Sequence, residues 1–146
     1  MIYVATSWRN PLYEGVLSVL RVAGLPFYDF KHPAPGVSGF AWSEVDPHWV
    51  VWTPAEYRAS LAHPRVNEAF GLDMNALKAC DTLLLVLPCG RSAHLGLGYA
   101  IGTGKTTIIY YPGDIRIEPE LMYKAADHLC LTMDEVLAAL GVPNAG

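Results

Sequence analysis

The chain lacks several features that mark special classes of protein. Its cysteines number three, and they stand far apart at Cys80, Cys89 and Cys130. Reduced thiols are therefore expected rather than a secreted disulfide scaffold. The longest apolar run, residues 82–87, is too short to cross a bilayer, and residues 1–4 lack the basic flank of a signal peptide. These absences predict a cytoplasmic protein that has no membrane partner.

Positive charge and metal-ligand patterns are scarce as well. The sequence has 10 basic and 14 acidic side chains, a net charge of −4, and no basic run, so binding to duplex nucleic acid is not expected. Its 5 histidines do not approach one another or a cysteine at a familiar ligand spacing, so neither a metal nor a cofactor is expected. What is present is a 146-residue chain that is 52% hydrophobic, which predicts one domain over residues 1–146.

Hydrophobic periodicity alternates between strands and helices. Strands are predicted at residues 2–5, 25–30, 82–87, 106–111 and 126–131. Helices are predicted at residues 12–23, 61–80 with a break near Gly71, 93–103 and 132–140. The run at 82–87 is apolar without alternation, which indicates a strand buried on both faces. The alternation predicts an open, doubly wound α/β domain with about five parallel strands in three layers.

One segment, residues 31–53, interrupts this alternation. It holds three of the four tryptophans and is too rich in proline and glycine for a helix. Inserts of this length are usually functional or disordered, and aromatic residues argue against disorder. Two interpretations stay open. The insert packs on the sheet edge, or it forms a lid in which a side chain such as Trp42 stacks on a planar ligand.

Binding sites in doubly wound sheets form at the carboxyl ends of the strands, where the strand order reverses. Ser7, Arg9 and Asn10 follow the first predicted strand, while Arg91 and Ser92 precede a helix whose N-terminus favours an anion. Because guanidinium groups bind phosphate through a planar fork, we predict a phosphate or ribose-hydroxyl role for these residues. The alternative is that both arginines are surface charges paired with nearby acids.

Two further features each have a functional and a structural interpretation. Residues 102–107 (GTGKTT) look like a phosphate-binding loop, but Tyr99 stands where that motif needs glycine, and the order of helix and strand is inverted. Close helix packing and a helix C-cap explain these glycines better. Cys89 lies beside a helix N-terminus near Arg91 and is either a nucleophile or a buried thiol.

Three segments together resemble the nucleoside 2-deoxyribosyltransferase family, which includes the 2'-deoxynucleoside 5'-phosphate N-hydrolases. They are residues 2–9 (IYVATSWR), 73–81 (DMNALKACD) and 90–100 (GRSAHLGLGYA). The resemblance covers the first strand and most of residues 73–111. It implies a flavodoxin-like fold, a homo-oligomer (dimer or higher) and a nucleoside or nucleoside 5'-monophosphate as partner. It also implies chemistry at the N-glycosidic bond, with transfer of the sugar to another base or to water.

The resemblance also implies roles for single residues. Asp73 matches an aspartate that family members use near the ribose and the nucleophile. Ser7 and Arg9 match positions that resemble phosphate contacts of the N-hydrolases. Gly90 stands where those enzymes have a serine and the transferases an aspartate. Tyr3 matches a tyrosine of the first strand of the transferases, although a core position explains it as well.

The sequence departs from the family at the nucleophile, because Gly96 stands where the resemblance places the catalytic glutamate. An oxocarbenium-like transition state needs a carboxylate beneath the sugar ring. Three hypotheses follow: Glu44 or Asp46 of the insert replaces the glutamate, the protein is a catalytically silent nucleotide-binding or sensor protein, or a natural or engineered substitution removed the glutamate from an intact enzyme. A fourth hypothesis is a domain of this fold that binds an unrelated small ligand or partner.

Overall fold

The computed structural model describes residues 1–143, so the last three residues of the predicted domain lie outside the described residues. The chain forms two compact units. The first, here called the sheet unit, comprises Met1–Tyr28 and the chain from Ala79 onward. The second, here called the insert unit, comprises Asp29–Lys78. The insert unit begins close to the predicted insert at residues 31–53 and continues well beyond it.

Helices and strands alternate along most of the chain, as the sequence predicts. In chain order the elements are β1 (Ile2–Ala5), α1 (Tyr13–Val22), β2 (Phe27–Tyr28), α2 (Pro54–Ser60), α3 (Pro64–Ala79), β3 (Thr82–Val86), α4 (Arg91–Gly102), β4 (Thr106–Tyr110), β5 (His128–Cys130) and α5 (Met133–Ala139). The five strands form one parallel sheet in the order β2-β1-β3-β4-β5. The prediction of a doubly wound, flavodoxin-like α/β fold is confirmed.

The core lies in the middle of the sheet. Strand β3 pairs with β1 on one side and β4 on the other, and Leu83–Val86 are fully buried. Ile108 and Ile109 of β4 are equally buried. Burial on both faces explains why β3 is apolar without alternation. At the edge, β2 pairs with β1 over only two residues, so the predicted strand at residues 25–30 is much shorter than expected.

The sheet order creates a switch point between β1 and β3. From β1 the chain moves to β2 at one edge, and from β3 it moves to β4 toward the other edge. Right-handed crossovers therefore place α1 and α4 on opposite faces of the sheet. In folds of this kind, ligands bind beside the loops that leave the carboxyl ends of the two strands at the switch point.

The helix predicted at residues 61–80 differs from the expectation. Helix α3 runs from Pro64 to Ala79 without interruption, so the predicted break near Gly71 is wrong. A single glycine inside a helix costs only about 1 kcal/mol, and good helix formers in the remaining turns offset that cost.

Helix α2 was not predicted, although its start carries a sequence signal. Thr53 is the N-cap and Pro54 occupies the first turn. The Thr53 hydroxyl accepts a hydrogen bond from the Glu56 N–H at 3.2 Å, and the Glu56 carboxylate accepts one from the Thr53 N–H at 3.2 Å. This reciprocal pair is a capping box, which marks a helix start. Within residues 1–143, no helix combines the length and the apolar character needed to cross a bilayer.

Candidate functional site

A hydrogen bond joins the loops that follow β1 and β3. The Ser7 hydroxyl oxygen accepts a hydrogen bond from the backbone N–H of Gly90 at 2.8 Å. Gly90 is the N-cap of α4, so this contact ties the β1 loop to the start of the helix. The structure thus places two of the predicted site residues in direct contact at the switch point.

Hydrogen bonds of buried polar side chains also join these two loops. The Thr6 hydroxyl donates to the carbonyl oxygen of Val86 at 2.7 Å. The Asn10 amide donates to the Thr6 hydroxyl at 3.0 Å and to the Pro88 carbonyl oxygen at 3.2 Å, and its own oxygen accepts from the Leu12 N–H. Asn10 is only 6% exposed. Its amide is therefore engaged in holding the two loops together rather than presented to a ligand.

The first turn of α4 offers unfilled hydrogen-bond donors. Within residues 1–143, the backbone N–H groups of Arg91, Ser92 and Ala93 have no acceptor. Helix N-termini carry partial positive charge, and such free N–H groups bind anions. The Ser92 side chain is exposed beside them. The start of α4 therefore has the donors that an anionic group requires.

Two arginines at the switch point have no counter-ion in the described chain, Arg9 on the β1 loop and Arg91 in the first turn of α4. Arg9 and Arg91 are exposed, and neither forms an ion pair with any residue of the described chain. The alternative in which they are paired with nearby acids is therefore not what the structure shows. Two unpaired arginines at the switch point add positive charge to the edge of the sheet where α4 begins.

Sequence reasoning assigned no role to Trp8, which lies between Ser7 and Arg9 on the β1 loop. Its side chain is 50% exposed. A half-exposed aromatic ring on a switch-point loop is suited to stack on a planar heterocycle. Tyr3, by contrast, is 8% exposed within β1 and stacks on Tyr28 with ring centroids 5.1 Å apart. Tyr3 is therefore a core residue, as the alternative interpretation held.

The position of the expected nucleophile lies inside α4. Gly96 is buried in the helix, on the same face as the buried residues Ala93, Leu97 and Ala100. Helix α4 packs against β1, β3 and β4. Gly96 contributes neither a carboxylate nor a polar side chain to this part of the helix.

The remaining predicted site residues belong to the insert unit. Asp73 lies in α3 and is half-buried. Trp42 is the centre of an aromatic cluster, with its ring 4.8 Å from that of Phe40, 5.8 Å from Trp52 and 5.9 Å from Tyr57, all edge to face. Trp42 thus packs among side chains of its own unit.

Glu44 and Asp46 use both carboxylate oxygens in local contacts. Glu44 accepts from the Ala41 N–H at 2.8 Å and from the Arg65 guanidinium at 3.2 Å. Asp46 accepts from the His48 N–H and from the Trp52 indole, both at 2.8 Å. These donors lower the pKa of each carboxyl below its ordinary value, with the backbone N–H as the largest cause in both cases. Both carboxylates therefore stabilise the insert unit through the hydrogen bonds that they accept.

A histidine near the start of α4 is held on both ring nitrogens. His94 Nδ1 lies 2.8 Å from the Gly90 carbonyl oxygen, and Nε2 lies 2.7 Å from the Tyr123 hydroxyl. Because a carbonyl oxygen only accepts, Nδ1 carries the proton, and Nε2 of the neutral ring accepts from Tyr123. Cys89 Sγ lies 3.8 Å from Nδ1, which cannot take the thiol proton in this tautomer. Burial raises the Cys89 pKa to about 12, so Cys89 is an inert thiol.

The GTGKTT segment forms no phosphate-binding loop. Helix α4 ends at Gly102, Gly104 has a positive φ of 77°, and β4 begins at Thr106. The glycines thus end a helix, as expected. Lys105 donates to the Cys80 carbonyl oxygen at 2.7 Å. In the described part of the chain, no group of three or more His, Cys, Asp or Glu side chains is placed to hold a metal ion.

Comparisons of the chain with protein-family models and with curated proteins give no match.

Proposed function

We propose that this protein binds a nucleoside 5'-monophosphate at the carboxyl edge of β1 and β3, as a nucleoside 2-deoxyribosyltransferase-like protein that does not cleave its ligand. One observation carries the proposal. The first turn of α4 has three unfilled N–H groups, and Arg91 of that turn and Arg9 of the adjoining β1 loop have no counter-ion among residues 1–143.

The phosphate would lie over the first turn of α4. Its oxygens can accept from the backbone N–H groups of Arg91, Ser92 and Ala93, which satisfies donors that otherwise have only solvent. Arg9 of the β1 loop and Arg91 of the first helical turn can add charge-assisted hydrogen bonds. The Ser7–Gly90 hydrogen bond supports this assignment, because it keeps the loop that carries Arg9 close to the helix N-cap.

The nucleoside part is supported by a different set of features. The half-exposed ring of Trp8 lies on the loop that would border the phosphate, and indole rings stack well on heterocycles. The resemblance of residues 2–9, 73–81 and 90–100 to the deoxyribosyltransferase family points to the same ligand class. Neither feature selects a particular base.

The absence of cleavage is inferred from the carboxylates. Gly96 has no side chain. The two candidate replacements, Glu44 and Asp46, each accept hydrogen bonds within the insert unit on both carboxylate oxygens. Without a free carboxylate beneath the sugar, the oxocarbenium-like transition state has no nucleophile. The enzymatic alternative, an N-glycosidase or deoxyribosyltransferase that uses another carboxylate, predicts release of free base.

Calorimetric titration with the four 2'-deoxynucleoside 5'-monophosphates tests the proposal. Saturable binding is expected, and Arg9→Ala and Arg91→Ala should each weaken it about tenfold, the effect of losing one charge-assisted hydrogen bond. Arg58→Ala is the matched control, because Arg58 is exposed on α2 and forms no ion pair in the described chain. Absence of binding at millimolar nucleotide, or equal losses in all three variants, would overturn the proposal.

Chromatographic detection of free base decides between binding and turnover. The protein as it stands should release no base, and Gly96→Glu should gain release if the remaining site is intact. Release of base by the unaltered protein would replace the silent form with the enzymatic alternative, while leaving the binding site in place.

A further inference from the structure

We propose that His94, held by Tyr123, is a positioning residue that directs the Arg91 N–H group toward the phosphate. This inference rests on the proposed function, since it concerns the same site at the start of α4. It assigns a role to two residues to which neither the sequence motifs nor the resemblance gave one.

The contacts of His94 span the gap between the helix and the segment that precedes β5. Its Nδ1 lies 2.8 Å from the carbonyl oxygen of Gly90, and its Nε2 lies 2.7 Å from the hydroxyl of Tyr123. The two rings are stacked, with centroids 5.7 Å apart and planes 10° from parallel. The imidazole is therefore restrained by hydrogen bonds at both ring nitrogens, with the Tyr123 ring nearly parallel to it.

Tyr123 reinforces the tautomer on which the contact depends. A hydroxyl can donate to Nε2, which leaves the ring proton on Nδ1, and Nδ1 then donates to Gly90. The Gly90 carbonyl oxygen also favours a proton on Nδ1, so removing the Tyr123 hydroxyl weakens the preference for this tautomer without abolishing it. The Tyr123 hydroxyl thus acts on the Gly90 carbonyl through the ring.

The peptide bond carries the effect to the phosphate site. The Gly90 C=O and the Arg91 N–H belong to one planar trans peptide and point in opposite directions. A hydrogen bond that fixes the carbonyl also fixes the N–H. The helical hydrogen bond to the same oxygen, from the His94 N–H, is long at 3.4 Å, so the side-chain bond at 2.8 Å is the stronger restraint.

Ser7 restrains the N-cap from its other side. The Ser7 hydroxyl accepts from the Gly90 N–H at 2.8 Å, whereas His94 donates to the Gly90 carbonyl. Both polar groups of this glycine are thereby held by side chains. One of the three free N–H groups of α4 is thus oriented before a ligand arrives, which lowers the ordering cost of binding.

Two substitutions of His94 separate positioning from packing. In His94→Asn the side-chain amide nitrogen takes the place of Nδ1 and can still donate to Gly90. In His94→Gln the amide nitrogen reaches the place of Nε2 and that donation is lost. We expect His94→Asn to keep the affinity for inorganic phosphate and for 2'-deoxyadenosine 5'-monophosphate within about twofold, and His94→Gln to weaken both about tenfold.

Tyr123→Phe keeps the aromatic ring and removes the hydroxyl, so a loss of about threefold is expected because only the Gly90 carbonyl oxygen then favours the tautomer. Leu129→Ala is the matched control. Leu129 lines the same cavity of about 540 Å³ as Tyr123, but it makes no contact with His94 among those described. The variant's affinity for phosphate and for the nucleotide should therefore equal that of the unaltered protein. Thermal melting of each variant confirms folding.

The outcomes separate this inference from the proposed function. If the unaltered protein binds neither phosphate nor nucleotide, the proposed function fails. If it binds both and His94→Gln binds equally well, or if the Asn and Gln variants lose affinity equally, the positioning role is overturned while the proposed function stands. Should both His94 variants fail to fold, Tyr123→Phe decides, and unchanged affinity there also overturns the positioning role.

Discussion

Each of the two units of this chain is stabilised internally by a different kind of contact. In the sheet unit, parallel strands bury apolar side chains on both faces, and residues such as Leu84 and Ile108 have no exposed surface. In the insert unit, only Ala76 and Leu77 of α3 are buried. The comparison shows that a continuous apolar strand is sufficient to organise the first unit, whereas the second depends on individual polar and aromatic contacts.

Arg65 illustrates how the insert unit is organised. Its guanidinium donates to Glu44 at 3.2 Å, to Glu68 at 3.0 Å and to the Ser38 carbonyl oxygen at 3.2 Å, and it lies 5.6 Å from the centroid of the Phe40 ring. One side chain thus links residues from three parts of the unit. Such contacts have strict geometry, so each depends on a few specific residues.

The largest effect is expected in the sheet unit. Leu84 is fully buried in β3 and lies in register with Val4 and Ile108 of the neighbouring strands. Leu84→Ala leaves a cavity that the paired strands cannot close, and it should lower the free energy of unfolding by about 2–5 kcal/mol. Urea unfolding followed by circular dichroism measures this change.

Leu95→Ala is the control for that prediction, because Leu95 is 76% exposed on α4. Its effect should stay within about 0.5 kcal/mol. Similar losses from the buried and the exposed leucine would contradict the account of the sheet core.

An intermediate effect is expected from the aromatic cluster of the insert unit. Trp42→Ala removes three edge-to-face ring contacts, each worth about 0.5–1.5 kcal/mol, from a half-exposed side chain. A loss of about 1–3 kcal/mol is expected in the same unfolding measurement. Trp49→Ala is the matched control, since Trp49 is 42% exposed and has no ring contact in the described chain. If the two tryptophan variants behave alike, the cluster does not organise this unit.

The smallest effect is a dependence of stability on acid pH. The backbone N–H of Ala41, followed by Arg65, holds the pKa of Glu44 below its ordinary value of 4.5 in the folded protein. Its stabilising contribution is therefore present above pH 4.5 and is lost as the pH falls through the lower folded value. Glu44→Gln should lower the melting temperature slightly at pH 7, and this difference should shrink below pH 4.5.

Glu14→Gln serves as its control, because Glu14 is exposed and accepts no hydrogen bond within residues 1–143. A melting-temperature difference for Glu44→Gln that persists unchanged to pH 3 would show that the charged carboxylate is not the stabilising species.

Most of the sheet unit was predictable because its signals are local. The buried runs at β1 and β3, the apolar spacing of α1 and the glycines after α4 each lie within a few residues of one another. The insert unit was less predictable. Helix α2 begins with Thr53, Pro54 and Glu56, a capping signal that periodicity does not register, and α3 continues through Gly71 because one unfavourable residue does not end a long helix.

The candidate site was predictable only in part. The rule for doubly wound sheets directed attention to the residues after β1 and β3, and the structure shows that Ser7 and Gly90 of these segments are in contact. It could not distinguish exposed Arg9 from buried Asn10, which depends on which side chains reach the carbonyl oxygens of the neighbouring loop. The contact between His94 and Tyr123 was missed for the same reason.

The sequence by itself determined that the chain forms a parallel α/β sheet with a polar switch-point edge, because hydrophobic period and turn residues are encoded over short spans. Only the tertiary structure decided that Ser7 meets Gly90, 83 residues later in the chain, and that His94 meets Tyr123. Contacts of this kind depend on the order of the strands and on the placement of distant loops. Local sequence patterns carry no information about the strand order or about the placement of distant loops.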